Sequence, residues 1–446
     1  MTEQTEVRRR AFRGCIVYCR HDPGEGDDPR ALEIHEDGIL LVADGRVEAV
    51  GPASELLPTL GPETEISDQR GRLIIPGMVD CHIHFAQTDI IASYGEQLLT
   101  WLERYTFPVE GRFGDAELAA ETAAFFLDEL LRNGTTSALV LGTVHAVSAE
   151  AVLDAAHRRG MRLAAGKVLM DRNAPDYLRD TAETGYRDSR ALIERWHGVE
   201  RLAYAITPRF APTSSDEQLR RVGELARAYP DTYVHTHVAE NRAEVAWVSE
   251  LFPWSRSYLD VYDRFGMLRE RSVYAHCIHL DDGDRRRMAE TGAVMGFCPT
   301  SNLFLGSGLF DYAAARDAGV GVGLATDVGG GTSFSMLRTA AEAYKVAQLQ
   351  GTSLSAARLL YLVTRAGAEA LSVADRIGGF RPGREADLVV LDPAATPLLA
   401  RRSAAAEDVA ERLFALLTLG DDRCIAETWV AGRCLHRRGA DSGAGG

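Results

Sequence analysis

The chain has 446 residues, of which 46% are hydrophobic, and its 64 acidic residues outnumber its 49 lysines and arginines, giving a formal net charge of −15. This length exceeds what one hydrophobic core normally supports, so we expect one large domain together with a smaller one. The acidic balance, and apolar runs too short to span a bilayer, argue against nucleic acid and membranes as partners.

The chain starts with a polar, charged segment, residues 1–13, without the apolar core of a secretory signal. Its seven cysteines are widely spaced, which favours reduced core residues. Both features predict a cytoplasmic protein. Residues 39–50 contain Asp44-Gly45 between two apolar runs, a pattern typical of a β-hairpin.

From residue 78 onward, apolar runs of strand-like composition alternate with amphipathic segments of helix-like composition. Eight strands are predicted, at residues 78–85, 135–141, 162–170, 202–210, 233–238, 273–278, 293–298 and 320–325. Helices are predicted between them, among others at residues 115–132, 149–159, 214–228, 282–291 and 312–318. This alternation is typical of an α/β fold, the (β/α)8 TIM-like barrel, whose functional residues lie at the carboxyl ends of the strands.

The C-terminal part of the chain is again rich in predicted strands. Residues 386–391 follow a Gly-Arg-Glu turn, and residues 425–435 fold around Ala431-Gly432. Neither flank is large enough to form a core alone, so we expect both to build one small β-sandwich domain. The predicted domains are residues 1–75 with 376–446 for the β-sandwich and 76–375 for the barrel, with a disordered tail over 439–446.

The first barrel strand ends in two histidines, His82 and His84. Side chains alternate between the faces of a strand, so residues two apart point the same way and can bind one metal ion. Further candidate ligands follow at later strand ends, His237 in a His-Val-Ala-Glu run and Asp327 in a Thr-Asp pair. Three imidazoles and one carboxylate predict a site for Zn²⁺, with Fe²⁺ or Mn²⁺ as alternatives, and leave a position for a reactive water.

Three side chains are candidate catalytic groups at this site. Glu240 lies three residues after His237, where a strand runs into a loop, so it can take the proton of the water and return it to a leaving nitrogen. Asp327 could hydrogen-bond the same water, and His276, at the end of the sixth strand, could polarise or orient it. The pattern predicts a metal-dependent hydrolase.

Three further residues stay open between a functional and a structural role. Asp80 and His235 share strand parity with the ligands, and they either fix the ligands' tautomers or pack the barrel interior. His279 is out of phase with His276, which favours a structural role.

These motifs resemble the amidohydrolase superfamily, in its mononuclear-metal deaminase branch. The resemblance rests on residues 76–84 (Pro-Gly-Met-Val-Asp-Cys-His-Ile-His), 237–240 (His-Val-Ala-Glu) and 326–327 (Thr-Asp). The fourth strand ends in Thr-Pro-Arg-Phe, whereas the binuclear members carry a metal-bridging lysine there. The resemblance implies one Zn²⁺ per subunit, with Fe²⁺ possible, and a homodimer.

Longer segments narrow the resemblance to the guanine deaminases. These segments are residues 85–90, 93–102, 105–108, 207–210, 299–303, 326–332 and 420–422. The resemblance implies hydrolysis of guanine to xanthine and ammonia in purine catabolism, with Glu240 protonating the amine that leaves C2. Cys81 is a departure, because we expect threonine at that position.

An uncharged purine base requires an aromatic face and a few fixed polar groups. Phe210, Trp101 and Phe85 could supply the face. Arg209 has a donor fork that suits the carbonyl oxygen O6, and Gln87 offers a donor and an acceptor to the ring edge. We therefore expect a small-molecule site whose substrate-binding residues include Gln87, Trp101, Arg209 and Phe210.

Two alternative functions remain open. The protein could be a related deaminase of another amino-heteroaromatic ring, such as 8-oxoguanine, a pterin or an aminotriazine, or it could be a non-catalytic scaffold. A scaffold would show loss of ligands, and all the predicted ligands are present. A short helix predicted over residues 98–105 could cover the site.

Overall fold

The structure, a computed structural model, describes residues 9–24 and 28–439, so the tail predicted over 439–446 lies, Gly439 excepted, outside the described residues. Its strands are β1 (Arg9–Cys19), β2 (Leu32–Ala43), β3 (Arg46–Pro52), β4 (Glu65–Pro76), β5 (Met78–His84), β6 (Thr135–Leu141), β7 (Arg162–Gly166), β8 (Val168–Leu169), β9 (Leu202–Pro208), β10 (Tyr233–Val238), β11 (Ser272–His276), β12 (Val294–Phe297), β13 (Gly321–Leu324), β14 (Leu388–Leu391), β15 (Ile425–Val430) and β16 (Arg433–Arg437).

The helices are α1 (Ala53–Leu56), α2 (Leu98–Trp101), α3 (Phe107–Glu110), α4 (Ala116–Arg132), α5 (Ala146–Arg159), α6 (Ala182–Trp196), α7 (Asp216–Ala228), α8 (Arg242–Leu251), α9 (Tyr258–Arg264), α10 (Asp282–Thr291), α11 (Pro299–Phe304), α12 (Tyr312–Asp317), α13 (Met336–Leu349), α14 (Ala356–Val363), α15 (Arg365–Ala370), α16 (Pro397–Ala404) and α17 (Val409–Leu419). Many begin at a side chain that accepts hydrogen bonds from free backbone N–H groups, as Asp115 does for α4 and Asp281 for α10. In the described part of the chain, no helix is long and apolar enough to cross a membrane.

Parallel strands form the barrel in the order β5-β6-β7-β9-β10-β11-β12-β13. All eight predicted strands are found, which confirms the fold class. The third, predicted as one run over residues 162–170, is wrong in one detail. Lys167 interrupts it between β7 and β8. The amine of Lys167 donates to the carboxylate of Asp180, in the loop that follows, at 2.6 Å.

Backbone hydrogen bonds from the segment after β13 close the barrel against β5. The N–H of Asp327 donates to the carbonyl oxygen of His82 at 2.9 Å, and the N–H of His84 donates to that of Val328 at 2.9 Å. The contact that closes the barrel therefore also places Asp327 beside the two histidines.

The short β8 pairs with β9 of the barrel, and the other seven strands form one sheet from both ends of the chain, in the order β16-β15-β14-β4-β1-β2-β3. Both predicted hairpins are present, since Ala43 pairs with Arg46 and Val430 pairs with Arg433. At the first turn, φ is 48° at Asp44 and 74° at Gly45, the left-handed conformation that an Asp-Gly pair tolerates best.

An ionic cluster joins this sheet to the amino-terminal end of the barrel. Arg201 donates to Glu385 at 3.0 Å and to Asp387 at 2.5 Å, and Arg162 donates to Glu385 at 3.0 Å. All four side chains are nearly buried. The cluster lies at the end of the barrel opposite the functional strand ends.

Candidate active site

Five side chains meet at the carboxyl ends of the barrel strands: His82, His84, His237, His276 and Asp327, hereafter the His/Asp cluster. Nε2 of His84 lies 3.2 Å from Nε2 of His82 and 3.2 Å from Nε2 of His237. Oδ1 of Asp327 lies 3.1 Å from Nε2 of His82 and 3.3 Å from Nε2 of His84. The fold thus brings together the four residues predicted as metal ligands.

The spacing and protonation of these groups fit a bound cation. In a tetrahedral site with metal–ligand bonds of about 2.0–2.1 Å, neighbouring ligand atoms lie about 3.3 Å apart. Nδ1 of His237 donates to the carbonyl oxygen of Arg209 at 2.6 Å, so its Nε2 carries a lone pair. Nδ1 of His276 donates to Oδ1 of Asn302 at 2.9 Å, with the same consequence. Lone pairs crowded around a carboxylate are unfavourable unless a positive charge lies between them.

Burial favours the neutral form of three imidazoles of the cluster, those of His82, His84 and His237. It lowers the pKa of His84 to about 4, and it also lowers the pKa values of His82 and His237. Burial alone would raise the pKa of Asp327, but the hydrogen bonds with His82 and His84 outweigh it and hold that pKa well below its ordinary value. At neutral pH these groups are therefore in the forms that bind a divalent metal.

Glu240 reaches the cluster from the loop after β10. Its Oε1 accepts a hydrogen bond from Oγ of Ser307 at 2.9 Å, and its Oε2 lies 3.3 Å from Nε2 of His276. Its backbone N–H donates to Oε2 of Glu244 at 3.0 Å. Burial, followed by the charge of Asp327, raises the pKa of Glu240 to about 8, so this carboxyl group can hold or release a proton near neutral pH.

Ala239 and two residues of the His/Asp cluster have a backbone conformation that is rare outside glycine. The φ angle is 51° at Ala239, 72° at His276 and 51° at Asp327. Such conformations cost on the order of 1–3 kcal/mol each and persist only where the surroundings enforce them. Their grouping at the ends of β10, β11 and β13 marks this end of the barrel as the functional one.

The three residues left open by the sequence take different positions. Nε2 of His235 lies 2.7 Å from Nδ1 of His82, in contact with a predicted ligand. Asp80 instead accepts from the backbone N–H groups of Thr326 at 3.1 Å and His82 at 3.2 Å, and from the hydroxyl of Thr326 at 2.5 Å. It therefore holds the backbone of the two strand ends rather than an imidazole ring. His279 lies outside the cluster, with Nε2 3.1 Å from the carbonyl oxygen of Ser307.

A narrow, partly enclosed cavity lies beside the His/Asp cluster. Its apolar wall consists of Leu98, Trp101, Leu102, Phe210 and Leu305. All four predicted substrate-binding residues line it: Gln87, Trp101, Arg209 and Phe210.

The helix predicted over residues 98–105 is present as α2, which continues into a π-helical turn over Leu102–Thr106. Leu98, Trp101 and Leu102 from this segment form one side of the cavity.

Phe85 does not supply an aromatic face, and that expectation is wrong. Its ring lies 5.3 Å from the ring of Phe113 and 6.1 Å from that of Phe126, in the core between the barrel and α4. It follows His84 directly, and its side chain turns to the opposite side, toward the helices.

Sequence reasoning missed the fully buried carboxylate of Glu110, at the end of α3. Its Oε1 accepts from Nε2 of Gln87 at 2.9 Å, and its Oε2 accepts from Nη1 of Arg209 at 2.6 Å. Also missed were Ser307, Glu244 and Asn302, which hold Glu240 and His276 as described above. The only signal for Glu110 is an acidic residue shortly after Phe107-Pro108, and an acidic residue in a helical segment normally faces solvent.

Comparisons with known proteins show the family to which this chain belongs. The profile of the Amidohydrolase family matches residues 73–435. Guanine deaminase of Escherichia coli (strain K12) is 52% identical over 408 residues, which cover 92% of this chain and 93% of that protein. A solved structure of E. coli guanine deaminase superposes with a TM-score of 0.94 at 50% identity, covering 96% of this chain and 100% of that one.

A crystal structure of guanine deaminase from C. acetobutylicum, with guanine bound in its active site, superposes with a TM-score of 0.87 at 29% identity and covers 96% of this chain and 100% of that one. The family profile spans most of the present sequence, and these relatives cover almost all of it. The chain therefore belongs to the amidohydrolase family, and it is similar over nearly its whole length to guanine deaminases.

Proposed function

We propose that the protein is a guanine deaminase, which hydrolyses the amino group from C2 of guanine to give xanthine and ammonia in purine catabolism. The observation that carries the proposal is one small cavity in which Glu240 and the His/Asp cluster face Arg209, Gln87 and Phe210. Whole-length similarity to guanine deaminases supports it.

His82, His84, His237 and Asp327 would hold one divalent ion per subunit, which we take to be Zn²⁺, with Fe²⁺ as the alternative. An ion bound there supplies Lewis-acid activation of water. Nitrogen and carboxylate donors suit both metals, so metal analysis of the purified protein distinguishes them.

Glu240 moves the proton in this reaction. Its Oε2 takes a proton from the attacking water and delivers it to the nitrogen on C2, so that the C2–N bond breaks with ammonia as the leaving group. The hydroxyl of Ser307 holds Oε1 at 2.9 Å, which keeps Oε2 free for the transfer. Nε2 of His276, whose lone pair points toward Oε2 and Asp327, accepts a hydrogen bond from the water and orients it.

The opposite wall of the cavity selects the purine. The guanidinium of Arg209 donates to the carbonyl oxygen O6, and the amide of Gln87 binds the ring edge. Phe210 and Trp101 offer their rings to the faces of the base. The segment that carries α2 covers the site and keeps bulk water from the reacting atoms.

We further propose that the enzyme works as a homodimer in the cytoplasm. These two proposals rest on the resemblance of its motifs to the family, on the acidic composition and on the widely spaced cysteines. Light scattering of the purified protein gives the oligomeric state.

A panel of amino-heteroaromatic compounds tests the substrate. Metal-replete protein should release ammonia from guanine with a kcat/KM well above the values for 8-oxoguanine, a pterin and an aminotriazine. A higher kcat/KM for one of these compounds would reassign the substrate, and no turnover of any of them would favour a scaffold.

A further inference from the structure

We propose that Glu110 is a positioning residue that sets the specificity of the site for a carbonyl-bearing ring, because it fixes both Arg209 and Gln87. The proposal rests on the proposed guanine deaminase activity and assigns a role to a residue that contacts neither the His/Asp cluster nor the reacting atoms.

The first observation is the geometry of a single carboxylate with one partner on each oxygen. Oε2 accepts from Nη1 of Arg209 at 2.6 Å, and Oε1 accepts from Nε2 of Gln87 at 2.9 Å. Glu110 is 0% exposed and Arg209 is 2% exposed, so neither contact is loosened by water. A carboxylate held at both oxygens cannot rotate without losing one of the two partners.

Arg209 requires this partner. A guanidinium stays charged at any pH that proteins tolerate, and an unpaired buried charge is strongly unfavourable. Phe107, also on α3, lies beneath it, with its ring centroid 5.6 Å from the guanidinium carbon. Glu110 takes one end of the planar fork, so the remaining N–H donors are directed to the cavity that Arg209 lines.

Glu110 also assigns the two ends of the Gln87 amide. The carboxylate accepts only, so it selects Nε2, and the backbone N–H of Gly329 selects Oε1 at 3.2 Å. Both neighbours demand the same orientation. Nε2 also lies 3.0 Å from Nδ1 of His84, so both amide hydrogens face partners. The amide therefore presents its oxygen, Oε1, to a ligand, where a free glutamine would offer either end.

Glu110 also lies on the same stretch of chain as part of the cavity wall. Glu110 ends the stretch that begins with α2, and three side chains of that stretch line the cavity. The opposite charges of Arg209 and Glu110 cancel, so this wall of the pocket carries no net charge. An uncharged base therefore suits it.

Binding of two unreactive bases that differ by the carbonyl group tests the proposal. Hypoxanthine carries the O6 carbonyl and purine lacks it, and neither has an amine at C2. Wild-type protein should bind hypoxanthine more tightly than purine by calorimetry. The ratio to compare is the Kd for purine divided by the Kd for hypoxanthine. Glu110→Gln should lower this ratio by about tenfold or more, because Arg209 loses its orientation. It should also raise KM for guanine more than it lowers kcat.

Asp180→Asn is the matched control. Asp180 is the acceptor of another buried ion pair, with Lys167 at 2.6 Å, and it lies outside the cavity lining. This variant should lose stability and keep the ratio. If Glu110→Gln fails to fold, Glu110→Asp, which keeps the charge but is too short for both partners, should also lower the ratio.

The outcomes separate the two proposals. Wild-type turnover of guanine with an unchanged Kd ratio in the folded Glu110 variant would overturn the role of Glu110 alone. Absence of guanine turnover in the wild type would overturn the proposed function and this inference with it.

Discussion

The side chain of Glu240 is positioned by the fold in two ways. Ser307 binds one of its carboxylate oxygens, and Glu244 binds its backbone N–H at 3.0 Å. Burial and the charge of Asp327 raise its pKa to about 8, so a proton arriving from water is held rather than lost. A cation beside Asp327 would shift the balance back toward the carboxylate, as a proton shuttle requires.

Glu240→Gln removes the proton carrier and keeps the side-chain shape. We expect kcat for guanine to fall by a factor of about 10²–10⁴, with metal content unchanged, because Glu240 is not among the proposed ligands. Steady-state kinetics and elemental analysis measure the two quantities. Glu121→Gln, on the exposed face of α4, is the control and should leave both unchanged. Near-wild-type turnover by Glu240→Gln would refute the assigned role.

The sequence was sufficient for residues that project from a strand end. Parity on β5 and the short spacing from His237 to Glu240 predict a common position at the barrel rim. The sequence was not sufficient for Glu110, because its partner Arg209 lies 99 residues later in the chain and no local pattern links the two. The error at Phe85 has a different origin, because alternation along the strand already turns the residue after His84 away from the metal side.

The close spacing of β7 and β9 in the barrel depends on a glycine. Gly166 ends β7 next to β9, and a Cβ at this position would overlap the carbonyl oxygen of Ala205. The eight strands are visible in the sequence because each is a buried apolar run, but the break after Gly166 is not. It depends on Lys167 pairing with Asp180, a contact that no local pattern reveals.

Gly166→Ala should therefore destabilise the barrel. Overpacking of this kind costs about 1–3 kcal/mol, so we expect a thermal midpoint several degrees below wild type by calorimetry. Gly51→Ala is the control in β3, because its added Cβ would meet Leu56 Cδ1 at an ordinary 3.5 Å. Equal midpoints for the two variants would show that β7 and β9 move apart at little cost.

The barrel and the terminal sheet are held together by buried charges as well as by packing. Glu385 accepts from both Arg162 and Arg201 at the amino-terminal end of the barrel. Burial alone would raise the pKa of Glu385, but the two arginines outweigh it and lower the pKa below its ordinary value of 4.5. A carboxylate with a lowered pKa stabilises the fold above its unfolded-state pKa and loses this contribution as the pH falls.

Glu385→Gln should lower stability at pH 7 by about 3 kcal/mol, because two buried arginines lose their shared partner. The difference from wild type should persist down to about pH 5 and narrow below 4.5, where wild-type Glu385 also becomes protonated. Thermal midpoints measured from pH 7 to pH 4 give this profile. Glu194→Gln, in the exposed pair with Arg190, should change little at any pH. A difference independent of pH would contradict the ionic origin.

Conversion of guanine to xanthine by the purified protein, followed by absorbance before and after a chelator, decides whether it is a metal-dependent guanine deaminase. We predict turnover that is lost with the metal and restored by one equivalent of Zn²⁺ or Fe²⁺ per subunit. Metal-loaded, folded protein that leaves guanine unchanged, or turnover that survives complete removal of the metal, would contradict this assignment.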